Sequence, residues 1–295
     1  MEATTTTDPR TRGAALLVLA SIVSVQSGAA LATGLFDSIG PAGAVFLRAS
    51  FGALALVMLL ALTRGAPLRM WEWPHRDVIL LGVAVAAVNL FFYAALDRLP
   101  LGITVTLEFV GPLGVALFGS RRRGDLIWAL LAAVGIVLLS GGADGERIDA
   151  LGVVLALSAG AFWAAYIVQS ARVGALEPGI RGATLAAVIS AVLVAPFGIA
   201  QGGAEILTPS HLAVGAAVGV LSTAIPYGFE MEALRRLPQA VFGVLMSLEP
   251  AVAAAIGFLA LSQGLATREV LAIALVVIAS AGALRSAATP PPHDS

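Results

Sequence analysis

Cysteine and lysine are both missing from this 295-residue chain. Without cysteine there is no disulfide and no thiolate metal site, and without lysine there is no Schiff-base nucleophile. Charge is scarce as well, at 12% of residues against 59% hydrophobic. So little charge cannot clothe a soluble surface, which places the chain among polytopic membrane proteins, with the lipid bilayer as its first partner. A formal net charge of −1 argues against a nucleic-acid partner. The histidines, His75, His211 and His293, fall in loops or the tail, so there is neither an HExxH helix nor a deep Ser/His pair. No aspartate lies in the middle of an apolar run, which removes an intramembrane aspartyl pair. The expectation is a protein that is not an enzyme and uses no cofactor and no metal.

What is present is a series of long apolar windows. They fall near 13–33, 42–62, 78–96, 100–119, 125–141, 150–170, 180–200, 212–234, 238–260 and 269–285, each of a length that suits a bilayer-spanning helix. The first follows Arg10 and Arg12 and resembles a signal peptide, but it exceeds a signal-peptide core and reads as a full span. Arginine sets the orientation. With the amino terminus inside, thirteen arginines lie in cytoplasmic segments and three, Arg98, Arg147 and Arg268, lie outside, while Arg48 lies within the second span. Trp71, Trp73 and His75 read as an interfacial anchor in a cytoplasmic loop.

The chain also repeats. Ala95–Pro100 (ALDRLP) matches Ala233–Pro238 (ALRRLP) at an offset of 138 residues, and the same offset carries Pro112 onto Pro250. Five spans per half force the second half upside down, the inverted design of secondary transporters. The expected fold is therefore an all-α polytopic membrane protein of ten transmembrane helices in two inverted five-helix repeats, both termini cytoplasmic. Its parts are a cytoplasmic segment at 1–12, a first repeat at 13–141, a second at 150–285 and a disordered cytoplasmic tail at 286–295.

Polar residues inside the spans are the candidate site. Glu108 lies about 12 Å from the outer edge and Glu249 about 16 Å from the inner edge at the rise of a helix, so both approach the midplane. The offset aligns Glu249 with Gly111, on roughly the same helix face as Glu108, and the two acids are placed to line one central cavity. Intramembrane acids are expensive and by default functional, although each also has a structural reading as a hydrogen-bonded carboxyl kept neutral by desolvation. Gly111 with Pro112, and likewise Pro226 and Pro250, break helices beside these groups, since proline removes a backbone donor. Pro112 cannot donate to the carbonyl of Glu108. Arg48 suits a substrate carboxylate, a snorkelling cation or an ion pair. Gln26, Asn89, Tyr93, Tyr166, Gln169, Ser222, Thr223, Tyr227 and Glu230 complete the polar set, each also open to interhelical hydrogen bonding.

Three stretches, LPLGITVTLEFVGPLGVALFGSRR at 99–122, LSTAIPYGFEMEAL at 221–234 and LPQAVFGVLMSLEPAVAA at 237–254, resemble the threonine/homoserine exporters of the EamA-type branch of the drug/metabolite transporter superfamily. The FLRAS region around Arg48 and VNLFFYAAL at 88–96 extend the similarity over nearly the whole chain. The resemblance implies a ten-helix bacterial inner-membrane exporter driven by the proton gradient, with small amino acids as cargo and protons as the second partner. Glu108, Tyr227, Glu230, Glu249, Arg48 and Asn89 match the pattern position by position. Gly228-Phe229 departs from it, where the exporters carry a serine and a smaller apolar residue. The alternatives are a broad-range drug or metabolite exporter of the same fold and, from another class, a non-transporting scaffold or receptor.

Overall fold

The computed structural model describes residues 9–64, 76–119, 126–140, 149–176 and 180–288. Trp71, Trp73, His75, Arg121, Arg122, Arg123, Arg147 and the tail from 289 lie outside these residues. Among the described residues every element is helical. The helices are α1 (Pro9–Thr33), α2 (Phe36–Arg64), α3 (Arg76–Leu96), α4 (Leu101–Glu108), α5 (Val110–Gly119), α6 (Leu126–Ser140), α7 (Ala150–Leu176), α8 (Arg181–Gly202), α9 (Pro209–Gly219), α10 (Ile225–Leu234), α11 (Gln239–Met246), α12 (Glu249–Leu261) and α13 (Thr267–Ala288). Eight stretches are long and apolar enough to cross a membrane, among them α4 with α5, α9 with α10 and α11 with α12. Leu126–Leu138 is apolar but shorter. The chain is a multi-pass membrane protein.

Several boundaries differ from the sequence reading for identifiable reasons. α1 starts at Pro9 rather than 13, because proline suits the first helical position, where no donor is needed. α2 starts at Phe36 and turns at Gly40, whose φ of 69° favours glycine, just before Pro41. α13 runs to Ala288, so 286–288 continue the helix instead of starting a disordered tail.

The packing fixes the direction of each helix. At one end of the bundle, Ala32, Leu35, Ile39, Leu96, Leu101 and Ile206 share a core cluster; here α1, α3 and α8 finish while α2 and α4 begin. At the other end Ala14 and Val18 of α1 pack with Ala233 and Leu237, and Val78 and Leu81 of α3 pack with Val173, Leu185 and Ala186. α1 packs on α10 and α12, α3 on α7 and α8, and α2 on α8 and α9.

The bounds of the helices also follow the offset of the sequence repeat. Adding 138 to α4 gives 239–246, the bounds of α11, and adding it to the ends of α2 and α3 (64 and 96) gives 202 and 234, the ends of α8 and α10. The interruption of the fourth window, placed by the sequence at Gly111-Pro112, falls at Phe109, with Pro112 inside the first turn of α5. Its counterpart in the ninth window falls at Ser247 and Leu248, again followed by a proline in the first turn, Pro250. A proline in a first turn sacrifices no helical hydrogen bond, so each helix restarts just upstream of its proline.

Candidate functional site

α1 crosses beside a break in the α9–α10 rod, and this pairing builds one wall of the site. Residues 220–224 form a π turn, in which the Ile225 amide donates to the Val220 carbonyl five residues back. The next donor in that register would be Pro226, which has none, so the Leu221 carbonyl loses its helical partner. Ser24 of α1 supplies the replacement, its hydroxyl donating to Leu221 O at 2.7 Å. The proline break expected at Pro226 is thus a π turn stitched to a neighbouring helix, a feature common at functional sites.

Opposite this wall, α7 passes the break between α4 and α5 at Gly160. A Cβ at Gly160 would stand 2.6 Å from the Glu108 carbonyl oxygen, and Gly111 abuts the Gly160 carbonyl. Only glycine lets the two backbones approach so closely, and the approach points the end of α4 inward.

Between the walls lies a cavity of about 420 Å³, within the roughly 300–1,000 Å³ of small-molecule sites. Gln26, Arg48, Asn89, Tyr93, Glu108, Tyr227, Glu230 and Glu249 all line it, as does Pro226. Gly111, Pro112 and Pro250 do not; they shape the turns behind it. All three tyrosines of the chain, Tyr93, Tyr166 and Tyr227, face this space. Gln169 does not, bonding instead to the Asp77 carboxylate at 2.5 Å. Ser21, Ser190 and Trp163 belong to the neighbourhood and were missed by the sequence reading. A serine or tryptophan inside a span usually signals packing, so nothing in the pattern singled them out.

The charged groups are held unequally. Glu249 is the first residue of α12, and its Oε1 accepts a 2.9 Å hydrogen bond from the Gln26 amide. Glu108, the last residue of α4, is 7% exposed and makes no hydrogen bond with any described residue; it lies within electrostatic reach of Glu249 and Arg48. Arg48 donates to the Asn89 side-chain oxygen and stands over the Tyr93 ring, 5.6 Å from its centroid. Asn89 is itself fixed by donating to the Val85 carbonyl at 2.7 Å. Arg48 makes no ion pair with a described acid, so of its three sequence readings the pairing with an acid is not realised. Glu230 accepts from the Ser21 hydroxyl at 2.6 Å.

Many of these polar atoms lack partners. Nine buried side-chain nitrogen and oxygen atoms have no hydrogen bond among the described residues. Six of them, on Gln26, Arg48, Tyr93, Ser190, Ser222 and Glu249, belong to residues lining this cavity. An unpaired buried polar atom costs about 1–3 kcal/mol, and such a concentration marks walls built for a polar occupant.

A model described as the EamA-like transporter family matches residues 150–285. The threonine/homoserine exporters RhtA of Salmonella typhimurium (strain LT2) and Escherichia coli (strain K12) are 42% and 41% identical over 268 residues, covering 90% of this chain and 90% of theirs. The chain belongs to the EamA-like transporter family. The uncharacterized transporter YwfM of Bacillus subtilis (strain 168) is 28% identical over 260 residues, covering 83% of this chain and 86% of its own. A solved crystal structure superposes with a TM-score of 0.64 at 21% identity, covering 91% of this chain and 94% of that one, and so shares the fold. Membership in the EamA-like family makes this chain a transporter rather than an enzyme. Gly228, half of the departure from the exporter pattern, is exposed and meets nothing within 4 Å, so that part of the departure faces away from the cavity.

Proposed function

We propose that the protein exports small amino acids of the threonine/homoserine kind across the bacterial inner membrane in exchange for protons, by alternating access. The observation that carries the reading is one cavity lined by Arg48, which forms no ion pair with a described residue, and by Glu108, whose carboxyl has no hydrogen-bond partner among the described residues. A free amino acid carries the complementary pair of charges. Its carboxylate meets the planar fork of Arg48, which Asn89 and Tyr93 hold in place, and its ammonium meets Glu108. The names of the 42% identical relatives supply the cargo class.

Coupling follows from the cost of an unpaired carboxylate in the membrane. To be occluded, Glu108 must carry either a proton or the cargo ammonium. A proton taken from outside returns the empty cavity inward; its release frees the charge for the next cargo. Glu249, tied to Gln26, shapes the field at Glu108 and positions the exchange. The test is Glu108→Gln in proteoliposomes: threonine-dependent proton flux is expected to vanish, and wild-type exchange by this variant would sink the assignment.

The architecture proposed is ten spans in two inverted halves, 13–141 and 150–285, with both termini inside. The matched bounds at the 138-residue offset support it, as do the arginine asymmetry and the family model's confinement to 150–285. In this orientation three polar bonds tie the first half to the second, or to Asp149 immediately ahead of it, at the outer end. They are Arg98 with Asp149 at 2.9 Å, the Ala42 amide with Gln201 at 2.7 Å, and the Leu101 amide with Gln263 at 2.9 Å. Arg236, the repeat counterpart of Arg98 at the inner end, bonds Glu232 in its own helix instead. Tyr166, on the inner part of the lining, is 38% exposed. The arrangement fits a state closed outside and accessible from the cytoplasm.

A further inference from the structure

Glu230 is the acid that the exchange at Glu108 does not use. It lies on α10, four residues beyond Pro226, on the inner side of the π turn. Its one hydrogen-bond partner is the Ser21 hydroxyl, and it forms no ion pair with a described residue. The nearest arginines on its own chain segment, Arg235 and Arg236, both bond Glu232. A carboxylate in a span with a neutral partner on one oxygen and no cation has an incomplete counter-charge. Around it stand Tyr166, within electrostatic reach of Glu230, and Tyr227, within reach of Tyr166. Both tyrosines line the same cavity as Glu230, and an aromatic ring near a carboxylate is a setting for an ammonium group, which gains from the charge and from a ring face.

This place is separate from the centre. Glu230 is held at Ser21 and Glu249 at Gln26, five residues further along α1, or about 7.5 Å at the rise of a helix. The two acids line one cavity and lie within electrostatic reach of each other, but each is held by its own partner on α1. Tyr166, beside Glu230, is 38% exposed.

We infer that Glu230, Ser21, Tyr166 and Tyr227 form a capture station for primary ammonium compounds at the cytoplasmic mouth, from which cargo passes to Arg48 and Glu108. The station rests on the exporter reading for its place in the transport cycle. Among the described residues no hydrogen bond or ion pair joins it to Arg48, which bonds Asn89, so it accepts short amines without a carboxylate, such as ethanolamine, which the centre does not transport.

The experiment compares wild type, Glu230→Gln and Glu230→Asp in inside-out vesicles, where the cytoplasmic face is accessible, with labelled threonine and an imposed proton gradient. Glu230→Gln is expected to raise KM at this face at least tenfold, with maximal rate, proton-to-threonine ratio and KM at the opposite face unchanged. Glu230→Asp restores most of the loss, and ethanolamine competes with threonine in wild type but not in Glu230→Gln. An unchanged KM in Glu230→Gln overturns the station; so does loss of proton coupling, which would make Glu230 part of the exchange itself. If wild type moves no threonine, the exporter reading fails, yet the station is still tested by ethanolamine. Its thermal shift of the purified protein should persist in Glu108→Gln and disappear in Glu230→Gln, and a shift retained in Glu230→Gln overturns the station.

Discussion

Single side chains divide the work of this cavity by what holds them. Arg48 has a fixed guanidinium and no acidic partner among the described residues; losing a charge-assisted contact of about 1.5–3 kcal/mol means that Arg48→Gln should weaken threonine binding about 10- to 150-fold, measured as an equilibrium Kd. Gln26→Leu leaves Glu249 without its one hydrogen bond, and the purified protein should unfold at lower temperature by the equivalent of about 1–3 kcal/mol. Outside the membrane, Arg98 first and then the α7 amides of Gly152 and Leu151 hold the Asp149 carboxyl below the usual aspartate range. A depressed value in the folded state means that its contribution is present at neutral pH and is lost as pH falls through that value, below about 4. The difference in melting temperature between wild type and Asp149→Asn should therefore be constant from pH 7 to 5 and close below pH 4. A difference that does not shrink as the pH falls below about 4 would show that charge is not what Asp149 contributes.

Helix breaks are the elements that position these groups. Gly160→Ala would drive a methyl against the Glu108 carbonyl, and overpacking of this kind costs about 1–3 kcal/mol. Transport should fall together with melting temperature, whereas Gly174→Ala, which meets nothing within 4 Å, should change neither. How much of this was legible in the sequence depended on the signal. Apolar length located eight bilayer-length stretches among the described residues, because a bilayer demands it whatever the packing. Pro112, Pro226 and Pro250 announced breaks, but proline says only where a donor is missing. The restart at Phe109 rather than at Gly111-Pro112, and the π turn before Pro226, depend on which neighbour supplies the replacement bond. Glu108 and Glu249 stood out because a carboxylate in an apolar run is rare. Ser21, Ser24 and Ser190 did not, because a serine in a span has a packing role by default and its partner lies about 200 residues away in the case of Ser21 with Glu230 and Ser24 with Leu221.

For the molecule as a whole, the account joins two ideas: an EamA-like fold closed at one end, and a central carboxyl that proton and ammonium share in turn. In the proposed outward-closed state the Arg98–Asp149 bond holds the outer end, so Arg98→Ala should raise the accessibility of a cysteine introduced at Ala29 to a membrane-impermeant thiol reagent added outside. The cavity lining at Ala29 makes this a report on the outer gate, and unchanged labelling would show that the Arg98–Asp149 bond does not hold it. The central claim is the shared carboxyl, and one measurement reaches it directly: proton flux driven by threonine in proteoliposomes, wild type against Glu108→Gln. Wild type should move protons inward as threonine moves outward, with the two fluxes in a fixed ratio, and Glu108→Gln should move none. Threonine-driven proton flux at the wild-type rate in Glu108→Gln would contradict the account.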